Sequence, residues 1–334
     1  MTSRNRGAAL LAAMLTVALV ATFSAAALWQ QWRSVEVETA ERARVQSAWI
    51  LTGALDWARL VLREDARSGG ADHLGEPWAV PLEEARLSSF LAAERNVSSE
   101  NGPEVLDAFL SGQITDLQSR LNVTNLINAG QPSDPDVRAF ARLFELLGLP
   151  PAQLDRLIEN LRFALDTSGA NHSSPMAPLL PQQEQQLVWL GIPANTVAVL
   201  RPYVTVLPLR DTAVNLNTAG AEVIYAALDG LSMADAQRLV AARQRSHFRN
   251  LADAKNAIGS IQPNFGERVG GTGASAVPLA GIGSRFFEVR SRLRLDQLTV
   301  EERSVVQRDG LDVRILRRQR GVPQPDAPPE MPQR

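Results

Sequence analysis

The sequence predicts an α+β protein led by one long helix, on three observations. An uncharged run, Ala8–Trp29, passes without a break into a charged stretch that keeps helical apolar spacing. Alternating apolar and polar residues, the mark of half-buried strands, recur at 86–126 and at 285–318. The chain between those two stretches is patterned mostly as helix.

The leading helix starts behind a short basic leader, Arg4-Asn5-Arg6-Gly7. Its 22 uncharged residues span roughly 33 Å, enough to cross a bilayer core of about 30 Å. Arg4, Arg6 and the initiating amine precede the span. The positive-inside tendency therefore puts the N-terminus in the cytoplasm and everything after Arg33 across the membrane. Trp32, Val35, Val37, Ala40, Ala43 and Ile50 carry the helix onward, with Glu38 and Arg42 paired i,i+4, to an end near Arg67 ahead of Ser68-Gly69-Gly70. Three fates of this N-terminus stay open on charge layout alone. It reads as a secretory signal cut at Ser24-Ala25-Ala26 or Ala25-Ala26-Ala27, as an uncleaved signal anchor, or as a leader cut on the cytoplasmic side. In the last case Gly7–Ala8 resembles the cleavage position of the prepilin class.

Asp72-His73-Leu74-Gly75-Glu76-Pro77-Trp78 comes next. Asp72, His73 and Glu76 are metal-ligand types, yet no second histidine or carboxylate pair stands nearby to complete a shell, and Gly75 with Pro77 reads as a turn over Trp78. Phe109–Asp116 and Leu121–Leu126 alternate as strands, and Asn96–Gly102 is a polar loop. Asp134-Pro135-Asp136 opens a helix through Leu147, with acids at its positive dipole end. Pro150-Pro151 restarts one over Ala152–Leu165, apolar at Leu154, Leu157, Ile158, Leu161 and Leu165. Asp166–Pro181 is a loop in which Asp166, Asn171 and His172 read as loop polarity, and Leu187–Leu190 is a short helical piece. Val214-Asn215-Leu216-Asn217-Thr218-Ala219 leads into a helix over Gly220–Leu228. A tight Asp229-Gly230-Leu231 turn follows, then a helix capped by Ser232 with Asp235 that runs to Arg243. Phe248, Leu251, Ala254 and Ile258 mark a third. From Gly283 the chain returns to strand over Arg285–Leu295, Val300–Arg308 and Leu311–Arg318. Connections at Gln297-Leu298 and Asp309-Gly310 make this a three-stranded antiparallel meander. Beyond Gly321 a proline-rich tail has too few apolar residues to fold.

Composition excludes several functions. With 34 basic against 36 acidic residues and a net charge of −2, no global field draws the chain to nucleic acid or anionic lipid. The absence of cysteine removes disulfides, thiol catalysis and thiolate metal sites. The three histidines are His73, His172 and His247; there is no Gly-x-Ser-x-Gly elbow and no His-Glu-x-x-His, so the chain reads as a non-enzyme. The helices about Asp229-Gly230-Leu231 resemble a helix-hairpin-helix, a module that grips DNA phosphates. Between 215 and 258, however, five cations (238, 243, 245, 249, 255) face four acids (222, 229, 235, 253), a poor phosphate footprint. A membrane-anchored DNA-binding protein is the alternative reading.

Taken in order, Arg6-Gly7-Ala8 with its apolar run, Asp72–Trp78, Gly112–Leu126, Val214–Ala219 with its hairpin and Gly283–Val289 resemble the K-type minor pseudopilins of bacterial type II secretion. The resemblance implies a pilin-like fold, in which a long N-terminal helix packs on a small antiparallel sheet split by a large helical insertion. It divides the chain into a leader (1–7), a transmembrane segment (8–32), a periplasmic α+β domain (33–127 and 283–321), an inserted helical domain (128–282) with the hairpin part at 214–258, and a tail (322–334). It implies cleavage by prepilin peptidase between Gly7 and Ala8, methylation of Ala8, and contact with partner helices through Val35, Leu55 and Leu62. The partners implied are other minor and major pseudopilins and the inner-membrane secretion platform, with no nucleic acid.

Pilin-like subunits usually carry glutamate at the fifth mature position; here it is Ala12. K-type proteins share that absence. A buried unpaired charge in the membrane costs several kcal/mol, so the contact orders assembly, and a subunit unable to offer it to a neighbour ahead is implied to sit at the filament tip. The family's calcium-associated acidic loop corresponds to Leu165–His172, which has one carboxylate where calcium takes six to eight oxygens. No cofactor is expected. Calcium is the one that the resemblance offers, with Asp134 and Asp136 as further carboxylates.

Overall fold

The structure, a computed structural model, describes residues 5–87, 108–166, 168, 177–208, 212–259, 267–268, 277–295 and 298–321. Helix α1 runs unbroken over Asn5–Ser68. Every residue from Ala8 to Arg42 is exposed, Leu10, Phe23 and Trp29 among them, and the apolar part is long enough to cross a membrane. Past Ala43 one face of α1 turns inward. Ser47, Leu51, Leu55, Ala58 and Leu62 recur at i,i+3 and i,i+4 spacing and are buried. Gly69 (φ +68°) and Gly70 (φ +118°) then end the helix in a conformation that side chains resist.

That face lies on an antiparallel sheet of β1 (Leu82–Arg86), β2 (Ala108–Asp116), β3 (Phe286–Leu295), β4 (Leu298–Asp309) and β5 (Asp312–Gly321), in the order β1-β2-β3-β4-β5. Strands β2 and β3 pair in unbroken register from Asp116↔Phe287 to Ala108↔Leu295, although the whole insertion separates them in sequence. Side chains alternate across the pleat, so Phe287, Val289, Leu293 and Leu295 all face α1. Leu62 packs with Phe287, and Leu51 with Leu293 and Leu295. The Asp116–Phe287 end of the sheet is therefore the end farthest along α1 from the apolar span. The chain leaves for the insertion at Asp116 and returns at Phe286, both at that far end.

The insertion holds α2 (Asp134–Leu146), α3 (Pro151–Leu165), α4 (Ala194–Leu200), α5 (Ala221–Ala227), α6 (Met233–Arg245) and α7 (Leu251–Ala257) around its own core, with Leu143, Phe144, Leu157, Leu190, Ile224 and Leu239 at the centre. Several local expectations change. Leu121–Leu126 is not a strand: after a two-residue bridge, Val123–Leu126 forms a 3-10 turn capped by the Asn122 side chain, which accepts from Thr124 N at 3.2 Å. Its alternation misleads because both faces are buried. Leu121, Val123, Leu126 and Ile127 join the helical core, upstream of the expected start of the insertion at 128. Strand β1 and helix α4 gave no periodic signal. The last hairpin turns through Gly310 and Leu311, with Asp309 paired to Asp312, so Asp309 flanks the turn. Only Gly310 has a positive φ (+58°), as a type II′ turn wants at its first central position. Asn96–Gly102, Asn171, His172, Gln297 and the tail lie outside the described residues.

Candidate functional site

Four segments far apart in sequence meet where the insertion joins the sheet. They are the loop after α1, the end of β2, the stretch 214–218 and residues 283–285 ahead of β3. Asp116, 1% exposed, is their centre. Its Oδ2 accepts from Thr218 Oγ1 at 2.5 Å, Ser284 Oγ at 2.6 Å and Asn215 Nδ2 at 3.2 Å, and its Oδ1 accepts from Gln118 N at 2.7 Å. Asn215 is fully buried and also donates to Ser284 Oγ at 2.9 Å and to the Asp72 carbonyl at 3.1 Å. Gln118 donates to the Ala213 carbonyl at 2.8 Å and accepts from Arg285 N at 2.6 Å. The alternation of Val214-Asn215-Leu216-Asn217 explains the geometry: Val214 and Leu216 enter the helical core, while Asn215 serves the junction. Burial pushes the Asp116 carboxyl up to about 6, against the lowering effect of the Ser284, Thr218 and Gln118 donors.

A second layer ties α1 and β4 to the same point. Arg308, above the Phe287 ring, donates to Asp65 Oδ2 at 2.5 Å, to the Ser284 carbonyl at 2.9 Å and to Asp72 Oδ1. Asp72 Oδ2 in turn accepts from Ser284 N at 2.6 Å. Burial raises the Asp72 pKa while the Arg308 charge opposes it. Glu76 Oε2 accepts from His73 N and from Trp78 Nε1, each at 2.8 Å. Burial pushes its carboxyl up to about 7 against those two bonds, with Asp65 adding to the rise. The arrangement is a buried clasp that ties the insertion to the sheet. Every lone pair it uses is committed to holding the chain.

The structure brings Asp72 and Glu76 together with Asp65, their oxygens within 4.8 Å of one another, while His73 points elsewhere, against His247. A metal does not fit the three acids, because the Arg308 guanidinium already lies on Asp65 and Asp72. Calcium fits the Asp134–Asp136 turn no better. Asp136 is buried and its Oδ2 accepts from Ser133 Oγ at 2.6 Å, a bond that fixes the start of α2. In the loop that the resemblance offers for calcium, Asp166 Oδ1 accepts from Ser168 N at 2.9 Å, and most of that loop lies outside the described residues.

The helix-hairpin-helix resemblance also resolves into packing. Ser232 and Asp235 form the capping box expected at the start of α6. Arg142 of α2 covers the hairpin, donating to the Ala226 carbonyl at 2.6 Å and to Asp229 at 2.7 Å. Arg243 donates to the Leu216 carbonyl, and burial pushes its pKa down to about 10. Arg142 and Arg243 are thus used inside the fold, while Arg238, Arg245, Arg249 and Lys255 stay exposed.

On α1, Gly7, Ala8 and Ala12 lie in the first turns of the continuous helix, with Ala8 and Ala12 exposed. Val35 is exposed as well. Leu55 and Leu62 are not: both pack into the chain's own sheet, so neither is free to meet a partner helix. Trp49 and Leu60 are large apolar side chains exposed on the outward face. Helical spacing alone could have separated the two sets, since Leu51, Leu55 and Leu62 share one face and Trp49 and Leu60 lie opposite.

Residues 119–209 and 214–269 match two family profiles, both described as "Type II secretion system (T2SS), protein K". The type II secretion system protein K of Pseudomonas aeruginosa is 27% identical, over 95% of this chain and 93% of that protein. That of Pectobacterium carotovorum is 25% identical, over 96% and 98%. These likenesses support a protein K-type minor pseudopilin of type II secretion. A chain of the solved GspK-GspI-GspJ complex of enterotoxigenic Escherichia coli shares its α+β fold, with a TM-score of 0.59 at 17% identity over 84% of this chain and 98% of that one. In this family the role is that of a minor pseudopilin in type II secretion, and nothing supports the DNA-binding reading. The matched region 214–269 contains Asn215 and Thr218, two of the side chains that donate to Asp116.

Proposed function

We propose that this protein is the tip subunit of the pseudopilus, anchored in the bacterial inner membrane with its N-terminus in the cytoplasm and its folded part in the periplasm. Prepilin peptidase removes 1–7, and methylated Ala8 becomes the mature end. The outward face of α1, with Val35, Trp49 and Leu60, meets the helices of other minor pseudopilins, and the assembled tip primes the major pseudopilin filament on the inner-membrane platform. The relative solved with GspI and GspJ supports partners of that kind. The subunit performs no catalysis and needs no metal or other cofactor.

One observation carries the tip reading: the insertion leaves and rejoins the sheet at the end farthest from the apolar span. A subunit stacked ahead would have to occupy that space, and Ala12 offers it no carboxylate. Immunogold labelling of pseudopili with antibody against the insertion tests this. Label at one end of each filament is expected; label along the length would end the tip reading. The N-terminal mass of the protein from membranes tests the anchor separately, with a methylated start at Ala8 expected and a start near Ala27 excluding it.

A further inference from the structure

Two of the chain's three histidines stack face to face beside the clasp: His73, in the loop after α1, and His247, between α6 and α7. Their ring centroids are 3.7 Å apart and the planes 11° from parallel. Each is held by its own surroundings. Gly75 N donates to His73 Nδ1 at 3.1 Å, so Nδ1 is an acceptor and the ring is neutral, with its proton on Nε2. The approach needs glycine: a Cβ at 75 would lie 3.1 Å from Nδ1 and 3.2 Å from Cε1. On the other side Asn217 clamps Phe248, accepting from its N–H at 2.8 Å and donating to its carbonyl at 2.9 Å, which fixes the backbone beside His247. Nitrogen lone pairs lie in their ring planes, and parallel planes this close cannot share one metal ion. The pair is therefore not a chelate; what remains open to it is titration.

We propose that the His73–His247 stack is a proton-sensitive latch between the pilin-like domain and the helical insertion, closed while both rings are neutral and released when they take up protons. Protonating His73 turns Nδ1 from acceptor to donor, so Gly75 N loses its partner, and two imidazolium rings at this distance repel. The charged groups around the pair are Asp65 from α1, Asp72 and Glu76 from the loop, and Arg308 from β4, which is tied to Asp65 and Asp72. Arg245, Arg249 and Asp253 flank His247 on its own segment. Burial first, and His247 second, hold the His73 pKa below the ordinary 6.5, with Asp65 and Asp72 pulling the other way. The closed form thus binds fewer protons than the open one. Closure is complete above about pH 6.5 and is lost as the pH falls below it. Asp116 responds in the opposite sense, since its raised pKa favours the folded clasp in acid. Release is accordingly a swing of the insertion about the intact clasp.

The chain has no cysteine, so two nitroxides can be placed without background. Ser68→Cys and Gln244→Cys, both exposed, report the separation of the two parts in the full-length protein in detergent. The interspin distance distribution is expected to be narrow at about pH 7.5 and to broaden at about pH 5.5, either side of the ordinary imidazole value. In His247→Phe, which keeps a stacked ring without a titrating nitrogen, it is expected to stay narrow at both. A distribution unchanged by pH in the labelled parent, or one that broadens equally in His247→Phe, overturns the proposal. Should that variant not fold, the ring titration of His73 by NMR decides the matter. A midpoint below 6.5 is expected, and one at or above 6.5 overturns the latch.

Discussion

Asp116→Asn isolates the cost of burying a charge at the centre of the clasp. The amide keeps the shape, and its oxygen can still accept from Thr218, Ser284 and Asn215, while its NH2 group turns toward Gln118 N. Leaving that backbone donor unpaired costs about 1–3 kcal/mol at any pH. The pH-dependent part is separate. The folded carboxyl titrates at about 6 against 3.8 for the free group, so the folded state holds its proton more tightly than the unfolded chain. Stability from this group is present in acid and is lost as the pH rises through about 6. Linkage gives about 1.4 kcal/mol of that loss between pH 5 and pH 7, and roughly 3 kcal/mol over the full range. Chemical unfolding of both proteins at a series of pH values should therefore show curves that diverge in acid. The parent should gain about 1.4 kcal/mol relative to Asp116→Asn between pH 7 and pH 5. Parallel curves would mean that Asp116 is not the buried, ionised hub described above.

Asn215→Ala removes the donor shared by Asp116, Ser284 and Asp72, and should lower unfolding stability by about 2–4 kcal/mol at neutral pH; a loss under ~0.5 kcal/mol would contradict its place in the clasp. Leu62→Ala and Trp49→Ala should separate core from contact. The first should cost about 2–5 kcal/mol in a denaturant titration. The second should change stability by no more than about 0.5 kcal/mol yet weaken co-purification with other minor pseudopilins. Gly7→Asp should leave the leader attached, read as an intact-protein mass that still includes residues 1–7. Chelation of calcium should leave the unfolding midpoint unchanged, and a downward shift would show that a metal is bound after all.

The parts of the fold that read cleanly from sequence were those with one buried face and a long repeat. Helix α1 announced itself through an uncharged run and then a stripe at helical spacing, and β3 through alternation. The segment Leu121–Leu126 misled because tertiary packing buries all of it, and a period of two then carries no information about conformation. The candidate site was less legible. Asp72, Asn215 and Ser284 were each in view within distinctive strings, but nothing local says that they converge on Asp116. Their sequence separations run to 168 residues for the Asp116–Ser284 bond. Asp116 itself looked like the polar end of a strand.

Local chemistry was enough to mark the long apolar run, the glycine boundary at Gly7–Ala8, the missing acid at Ala12, the capping box of α6 and the C-terminal meander. Each depends on residues within a few turns or a few strand steps of one another. Helical spacing separates two faces of α1, and tertiary structure decided which of them is covered, since burial of Leu55 and Leu62 depends on a sheet built from both ends of the chain. Tertiary structure showed how the hairpin is packed, with Arg142 over Asp229 and Arg243 on the Leu216 carbonyl. It alone stacked His73 on His247 and gathered four segments on one carboxylate. Burial, and with it the pKa of a group and the use of its lone pairs, is set by neighbours distant in sequence, and a linear pattern does not contain them.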